Sequence, residues 1–110
     1  MVAYTPTRMA QVSLANAAAV LYTVPTGKTA IVKQFIVANT TAATASAFVS
    51  LVPGGGAGAA ANRIVHDVDV PPKSVLTFEM SQVLPAGGTV AAHASTAAAL
   101  TFTVSGLEFA

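Results

Sequence analysis

Apolar residues alternate with polar or small ones in short runs along this chain, and residues that favour turns separate the runs. Alternation with a period of two is typical of strands that bury one face. The pattern predicts seven or eight short strands spaced by roughly ten residues, as in an antiparallel sandwich or barrel. The candidate strands are Met9–Leu14, Val20–Val24, Thr29–Ala38, Ala47–Val52, Asn62–Val70, Val75–Met80, Thr89–Ser95 and Leu100–Phe109.

The strand pattern and the length of 110 residues predict an all-β fold in a single domain, an antiparallel β-sandwich of jelly-roll or immunoglobulin-like topology. We expect residues 1–19 to form an N-terminal arm with the first strand, and residues 20–110 to form the sandwich. The opening segment MVAYTPTR has no clear pairing pattern. It is either a frayed terminus or an arm that docks on a neighbouring subunit with Tyr4 as its anchor.

The strand TAIVKQFIVA is apolar on both faces, which is typical of a central or covered strand. Strict alternation places Ile31, Phe35 and Val37 on one face. It places Val32 and Ile36 on the other face.

The last strand changes phase along its length. Its first half alternates cleanly, but Leu107 and Phe109 fall in the opposite phase, with Gly106 between the two sets. A β-bulge at Gly106 would return both sets to the core, so we expect one there.

Charge is scarce, because only 8% of the residues are Asp, Glu, Lys or Arg, against about 25% in typical soluble domains. The net charge is +1 and the five basic residues are dispersed, so we expect no nucleic-acid partner. A weakly charged surface is easier to explain when other subunits cover part of it. We therefore expect a homo-oligomer, with a trimer favoured because symmetric assemblies are the rule.

Other composition features exclude further classes of site and location. The chain has no cysteine, which excludes disulfides, thiolate zinc sites and cysteine nucleophiles. It has neither a signal-peptide pattern at its start nor an apolar run of about 20 residues. We expect a protein made in the cytoplasm, not secreted and without a membrane partner.

The stretch GAGAAA, Gly56 to Ala61, fits the loose G-x-G-x-x-A form of a dinucleotide-binding turn. That turn needs a following helix whose N-terminus holds the pyrophosphate. The residues that follow read NRIVHDVDV, which alternate as a strand. We interpret the stretch as a flexible loop between strands and predict no cofactor.

The candidate metal ligands are His66, Asp67 and Asp69 on one strand, and His93 on another. In an extended strand His66 points away from both aspartates, and two carboxylates fall short of the six to eight oxygens that calcium takes. We expect His66 to be hydrogen-bonded and partly buried in phase with Ile64 and Val68, and His93 to be a surface residue. We predict no metal site.

Catalytic patterns are equally sparse. No serine sits in a G-x-S-x-G elbow, and Glu79 and Glu108 are the only glutamates that could pair as the acid and base of a glycosidase. Each lies on a strand between apolar residues, which is ordinary in a sandwich. We predict no catalytic residues and no enzyme activity. Asn39 to Thr41, N-T-T, formally matches a glycosylation acceptor, but we interpret it as loop chemistry.

The segment LYTVPTGKTAIVKQFIVANTTA, Leu21 to Ala42, resembles small all-β structural proteins of tailed bacteriophages and prophages. Landmarks that match in order are LVPGGG at Leu51 to Gly56, VLPAGGTV at Val83 to Val90 and TVSGLEF at Thr103 to Phe109. The resemblance covers about four fifths of the chain, from Val20 onward. These motifs are turn and strand chemistry, so they point to a scaffold more than to a role.

The resemblance implies a virion component with a β-sandwich fold, often a homo-oligomer. We expect a capsid decoration or cement protein that binds the assembled head and bridges neighbouring subunits of the major capsid protein. The alternative is a tail or tail-fibre component with a host-surface-binding role. A glycan-binding module should expose aromatic rings, and this chain has two Tyr, five Phe and no Trp.

Overall fold

The computed structural model describes residues 4–57 and 60–110. Within these ranges the chain forms eight antiparallel strands and one short 3₁₀ turn, which confirms the all-β fold. The elements are β1 (Thr5–Ser13), β2 (Ala19–Thr23), β3 (Thr29–Asn39), β4 (Ala45–Val52), the 3₁₀ turn (Ala60–Asn62), β5 (Arg63–Val70), β6 (Val75–Leu84), β7 (Thr89–Ala94) and β8 (Leu100–Phe109).

The strands form two four-stranded sheets. Sheet A has the order β1-β8-β3-β6, and sheet B has the order β2-β7-β4-β5. The first strand pairs with the last, the second with the seventh, the third with the sixth and the fourth with the fifth. This is a long antiparallel ribbon rolled into a sandwich, the jelly-roll arrangement of two Greek keys. The topology therefore excludes the immunoglobulin-like alternative.

The described part of the N-terminal segment is an edge strand of the sandwich. The pairing of Thr5 with Glu108 and of Arg8 with Ser105 joins it to β8 of the same chain. Met9 contributes to the core, and the Tyr4 ring lies 5.1 Å from that of Phe109. Residues 4–13 are thus tied down within their own chain, and residues 1–3 lie outside the described part.

The core lies between the two sheets and is centred on three phenylalanines of sheet A. The ring of Phe35 stacks on Phe78 at 4.7 Å between centroids and contacts Phe102 at 5.4 Å. Phe35 and Phe102 are fully buried. Burying one such side chain stabilises the fold by about 1.5–3 kcal/mol relative to leaving it exposed. Val and Ala fill most of the remaining core, so these rings supply much of its volume.

A band of bulges crosses sheet A. Relative to β8, β3 carries an extra residue at Lys33, and β1 carries one at Met9. Each extra residue reverses the phase of the strand that holds it. In β3, Val32 is therefore buried together with Phe35 and Val37, while Ile31 points to the outer face. The prediction that Ile31 shares a face with Phe35 was wrong because strict alternation ignores the bulge.

The phase change predicted at Gly106 does not occur in β8. The extra residues lie on its neighbours, so Glu108 continues the inward-facing set and contacts Tyr22 of the opposite sheet. Leu107 and Phe109 remain on the outer face and are only partly buried, so the expectation that they join the core was wrong. Gly106 instead lies directly against the backbone of β3 at Ile31. A Cβ placed on it would lie 2.0 Å from the carbonyl oxygen of Ile31.

Substitution of Gly106 by Ala should destabilise the fold by about 1–3 kcal/mol, because the backbone of β3 must move away from the added methyl group. The matched control is Gly54→Ala, since a Cβ at Gly54 meets nothing within 4 Å. Urea unfolding of both variants checks the prediction. Equal stability of the two variants would contradict it.

The side chain of Asn39 joins the loop between β3 and β4 to the end of β5. Its side chain is buried, and its amide nitrogen donates to the carbonyl oxygens of Ala43 at 2.8 Å and Val70 at 2.9 Å. Its amide oxygen accepts from the backbone N–H of Thr41 at 2.9 Å and from the hydroxyl of Thr41 at 2.7 Å. The N-T-T triplet is therefore loop chemistry, as its sequence context predicted.

Replacing Asn39 by Ala should destabilise the protein by about 2–4 kcal/mol, because buried groups including the Val70 carbonyl lose their partner. Asn16→Ala is the control, since Asn16 is exposed in a turn, and its expected effect is below about 0.5 kcal/mol. Thermal unfolding of both variants measures the difference. A loss at Asn39 no larger than that at Asn16 would refute the role of the amide.

Candidate binding surface

The described part of the Gly-rich stretch is a turn that is hydrogen-bonded to strands of sheet B. The backbone N–H of Gly55 donates to the carbonyl oxygen of Val52 at 3.1 Å. The hydroxyl of Thr89 donates to the carbonyl oxygen of Gly56 at 2.5 Å. After Gly58 and Ala59, which lie outside the described residues, a three-residue 3₁₀ turn leads straight into β5. The helix that a dinucleotide turn requires does not follow here.

A bulge also determines the faces of β5. Asp67 has a φ of 53°, and β5 gains one residue relative to β4 at this point. Val65 therefore faces the core together with Val68, while Ile64 and His66 are exposed. The expectation that His66 is partly buried in phase with Val68 was wrong, because the bulge reverses the phase between them.

Four side chains meet on the outer face of sheet B, and we call them the aromatic patch: Phe48, Arg63, His66 and His93. Phe48 and His93 lie directly opposite each other on β4 and β7, and their rings stack in parallel at 4.4 Å. His66 meets Phe48 edge-on at 5.5 Å from the β5 side. The Arg63 guanidinium carbon lies over the Phe48 ring, 5.0 Å from its centroid.

The patch carries one permanent charge, the guanidinium of Arg63. Nη1 of Arg63 lies 2.9 Å from Nδ1 of His66, and a guanidinium can only donate, so Nδ1 is the acceptor. Burial lowers the pKa of His93 from its usual value, and the nearby charge of Arg63 lowers it further. Both causes favour the neutral form of the His93 imidazole beside the Arg63 cation.

The ring of Phe48 contacts two other side chains of the patch. The imidazole of His93 stacks on it, and the guanidinium of Arg63 lies over it. A preformed group of aromatic and arginine side chains is the composition that concentrates binding energy in protein interfaces.

Sequence reasoning singled out both histidines but missed Phe48 and Arg63. His93 lies on the same face as Thr89, as expected, but it is half-buried and not a fully exposed surface residue. Phe48 is one partly buried aromatic in a strand of small residues, and only the pairing of β4 with β7 and β5 makes it the centre of a group. The sequence around Phe48 does not indicate which strands pair with β4.

The carboxylates considered as ligands or catalysts are dispersed. Asp69 accepts a hydrogen bond from the hydroxyl of Ser46 at 2.8 Å, and Asp67 is exposed at the bulge. Across residues 4–57 and 60–110, no three His, Asp or Glu side chains come close enough to hold a metal ion.

The two glutamates that could pair as acid and base lie on opposite faces of sheet A. Glu79 is exposed on the outer face, opposite Gln34 in the strand pairing. Glu108 points inward, accepts a hydrogen bond from the Tyr22 hydroxyl and lies 3.9 Å from the Lys28 ammonium. Burial and this carboxylate together raise the pKa of Tyr22. The structure does not bring the two carboxyls to one site.

No protein-family model matches the chain, and no curated protein matches it. In the part of the chain that the structure describes, no helix is long and apolar enough to cross a bilayer. The resemblance to phage structural proteins therefore stays a prediction from the motifs.

The lowered pKa of His93 predicts a dependence of stability on pH. The unfolded chain takes up a proton on this histidine near pH 6.5, whereas the folded chain resists it to lower pH. The free energy of unfolding should therefore fall as the pH falls below about 6.5. Urea unfolding at pH 7.5, 6.5 and 5.5 measures the decline, which should be smaller in His93→Gln. An identical decline in both proteins would show that His93 contributes nothing.

Proposed function

We propose that this protein is a structural component of a tailed-phage virion that binds the outside of the assembled head as a decoration or cement protein. Its role is to join neighbouring subunits of the major capsid protein. Because it binds the assembled shell and not the dissociated subunits, it stabilises the shell by mass action.

Several features of the chain support this role. The turn and strand landmarks from Val20 onward resemble those of phage structural proteins, and a jelly roll is an architecture used in viral capsids. The surface is weakly charged, as expected where other subunits cover it. The carboxylates of the described residues are dispersed over the two sheets, which suits a binding scaffold.

The observation that carries the proposal is the aromatic patch. It presents Phe48, Arg63 and two imidazoles on the outer face of sheet B, ordered in advance by stacking and hydrogen bonding. A preordered group loses little conformational entropy on binding, so more of the contact energy becomes affinity. We propose that sheet B faces the shell through this patch.

Purified protein should raise the melting temperature of bare shells assembled from the major capsid protein of the same phage. Arg63→Gln should weaken binding about tenfold, because arginines at interface centres carry much of the affinity. Lys73→Gln is the matched control, since it removes one positive charge from the exposed turn between β5 and β6. Calorimetry of the shells and co-sedimentation give the two readouts.

Wild-type protein that neither binds nor stabilises shells would refute the cement role. Equal losses in Arg63→Gln and Lys73→Gln would refute the patch as the contact, while leaving the role itself supported. Labelled electron microscopy of intact virions separates the head from the tail. A signal confined to the tail would favour the tail or tail-fibre alternative instead.

A further inference from the structure

The outer face of sheet A carries a row of apolar side chains that runs across all four strands. Pro6 of β1 lies opposite Leu107 of β8, Leu107 lies opposite Ile31 of β3, and Ile31 lies opposite Val83 of β6. Residues directly opposite in an antiparallel pair point to the same face. Val83 is 62% exposed, the largest value among the apolar side chains exposed in the described chain. A continuous apolar row on an open sheet face indicates a contact surface.

A second row, parallel to the first, is polar and carries opposite charges at its two ends. Arg8 of β1 lies opposite Ser105 of β8, Ser105 opposite Gln34 of β3, and Gln34 opposite Glu79 of β6. The ion pair that the structure records in the described chain joins Lys28 and Glu108, so neither Arg8 nor Glu79 takes part in one there. This second row thus has one charge of each sign outside any recorded ion pair, at opposite edges.

These two rows make the face complementary to itself. A two-fold axis parallel to the strands, midway between β8 and β3, exchanges β1 with β6 and β8 with β3. It places Arg8 against Glu79 of a second copy, and Pro6 against that copy's Val83. Each row meets itself, apolar against apolar and positive against negative. An isologous interface requires this kind of self-complementary patch.

A third charge on the face, Lys33, lies near the edge that carries Glu79. Lys33 is in β3 at the bulge, and its ammonium donates to the hydroxyl of Ser81 in β6 at 2.8 Å. The axis places Lys33 against β8 of the second copy, which has no positive charge. Arg8 of the second copy lies over β6, so Glu79 faces both cations there.

The size of the face suits a specific contact. Four strands about 4.8 Å apart and about nine residues long, at about 3.3 Å per residue, cover roughly 19 by 30 Å. The accessible area of such a corrugated face is of the order of the 800 Å² per partner that a typical specific interface buries. Two twisted sheets can pack face to face with their strands nearly aligned, which is the alignment that this axis produces.

We propose that two copies of this chain associate face to face through the outer surfaces of their A sheets, about a two-fold axis parallel to the strands. The pairing leaves the aromatic patch on sheet B accessible on both copies. It does not depend on the virion role. It replaces the trimer expected from symmetry alone with a dimer of defined contacts.

Light scattering coupled to size exclusion should give a concentration-dependent mass approaching twice 10.9 kDa for the wild-type protein. Val83→Lys should weaken the dimer about tenfold or more, because it inserts a charge into the apolar row. Val20→Lys is the matched control on edge strand β2 of the other sheet, where Val20 is 43% exposed. It should leave the dimer unchanged.

Charge reversal tests the pairing of the two edges directly. Arg8→Glu places Glu against Glu across the axis, and Glu79→Arg places Arg against Arg, so each variant alone should dimerise about tenfold more weakly or worse. An equimolar mixture of the two variants restores both oppositely charged contacts and should form a heterodimer. Circular dichroism of each variant verifies that it is folded.

Several outcomes would overturn the proposal. A wild-type mass of one or three chains at millimolar concentration contradicts the dimer. Val83→Lys and Val20→Lys with equal effects contradict the choice of face. Folded charge-reversal variants that dimerise like the wild type, or fail to associate when mixed, contradict the axis. If the wild-type protein is a monomer and still binds shells, the dimer proposal fails while the proposed function stands.

Discussion

The structure depends on one close approach, in which the carbonyl oxygen of Ile31 occupies the space where a side chain on residue 106 would begin. Because residue 106 is a glycine, the backbone of β3 can pass close to β8, and β3 can accommodate an extra residue at Lys33. That extra residue reverses the phase of β3, so Val32 and Phe35 both reach the core. Without this contact the central strand could not fill the core along its whole length.

The same bulge shapes the surface as well as the interior. By turning Ile31 outward beside Leu107, it completes the apolar row across sheet A. A corresponding bulge at Asp67 turns His66 outward and allows it to join Phe48 and Arg63 on sheet B. A bulge thus bends a strand and re-aims a side chain at the same time. The sandwich obtains two chemically distinct outer faces, one with an apolar row beside a charged row, the other aromatic and cationic.

Sequence reasoning succeeded where the signal was local. Prolines and glycines marked the strand ends well enough to predict all eight strands, although β1 begins at Thr5 and β6 continues to Leu84, beyond the predicted limits. The N-T-T triplet was recognisable as loop chemistry because Asn hydrogen-bonds neighbouring backbone groups. The errors fell on Ile31, His66 and Leu107, each of which lies in or next to a bulge. A one-residue insertion reverses every later side chain, and alternation alone cannot locate it.

The sequence by itself determined the all-β class, a count of seven or eight strands and a low content of charged residues, because these follow from composition and period-two alternation. The tertiary structure decided the jelly-roll order, since strands distant in the chain, such as β1 and β8, choose their partners through the whole core. It also decided which side chains share a face, and so created the aromatic patch on sheet B and the two parallel rows on sheet A. Each of those surfaces combines side chains from several strands, so no single segment of the chain contains it.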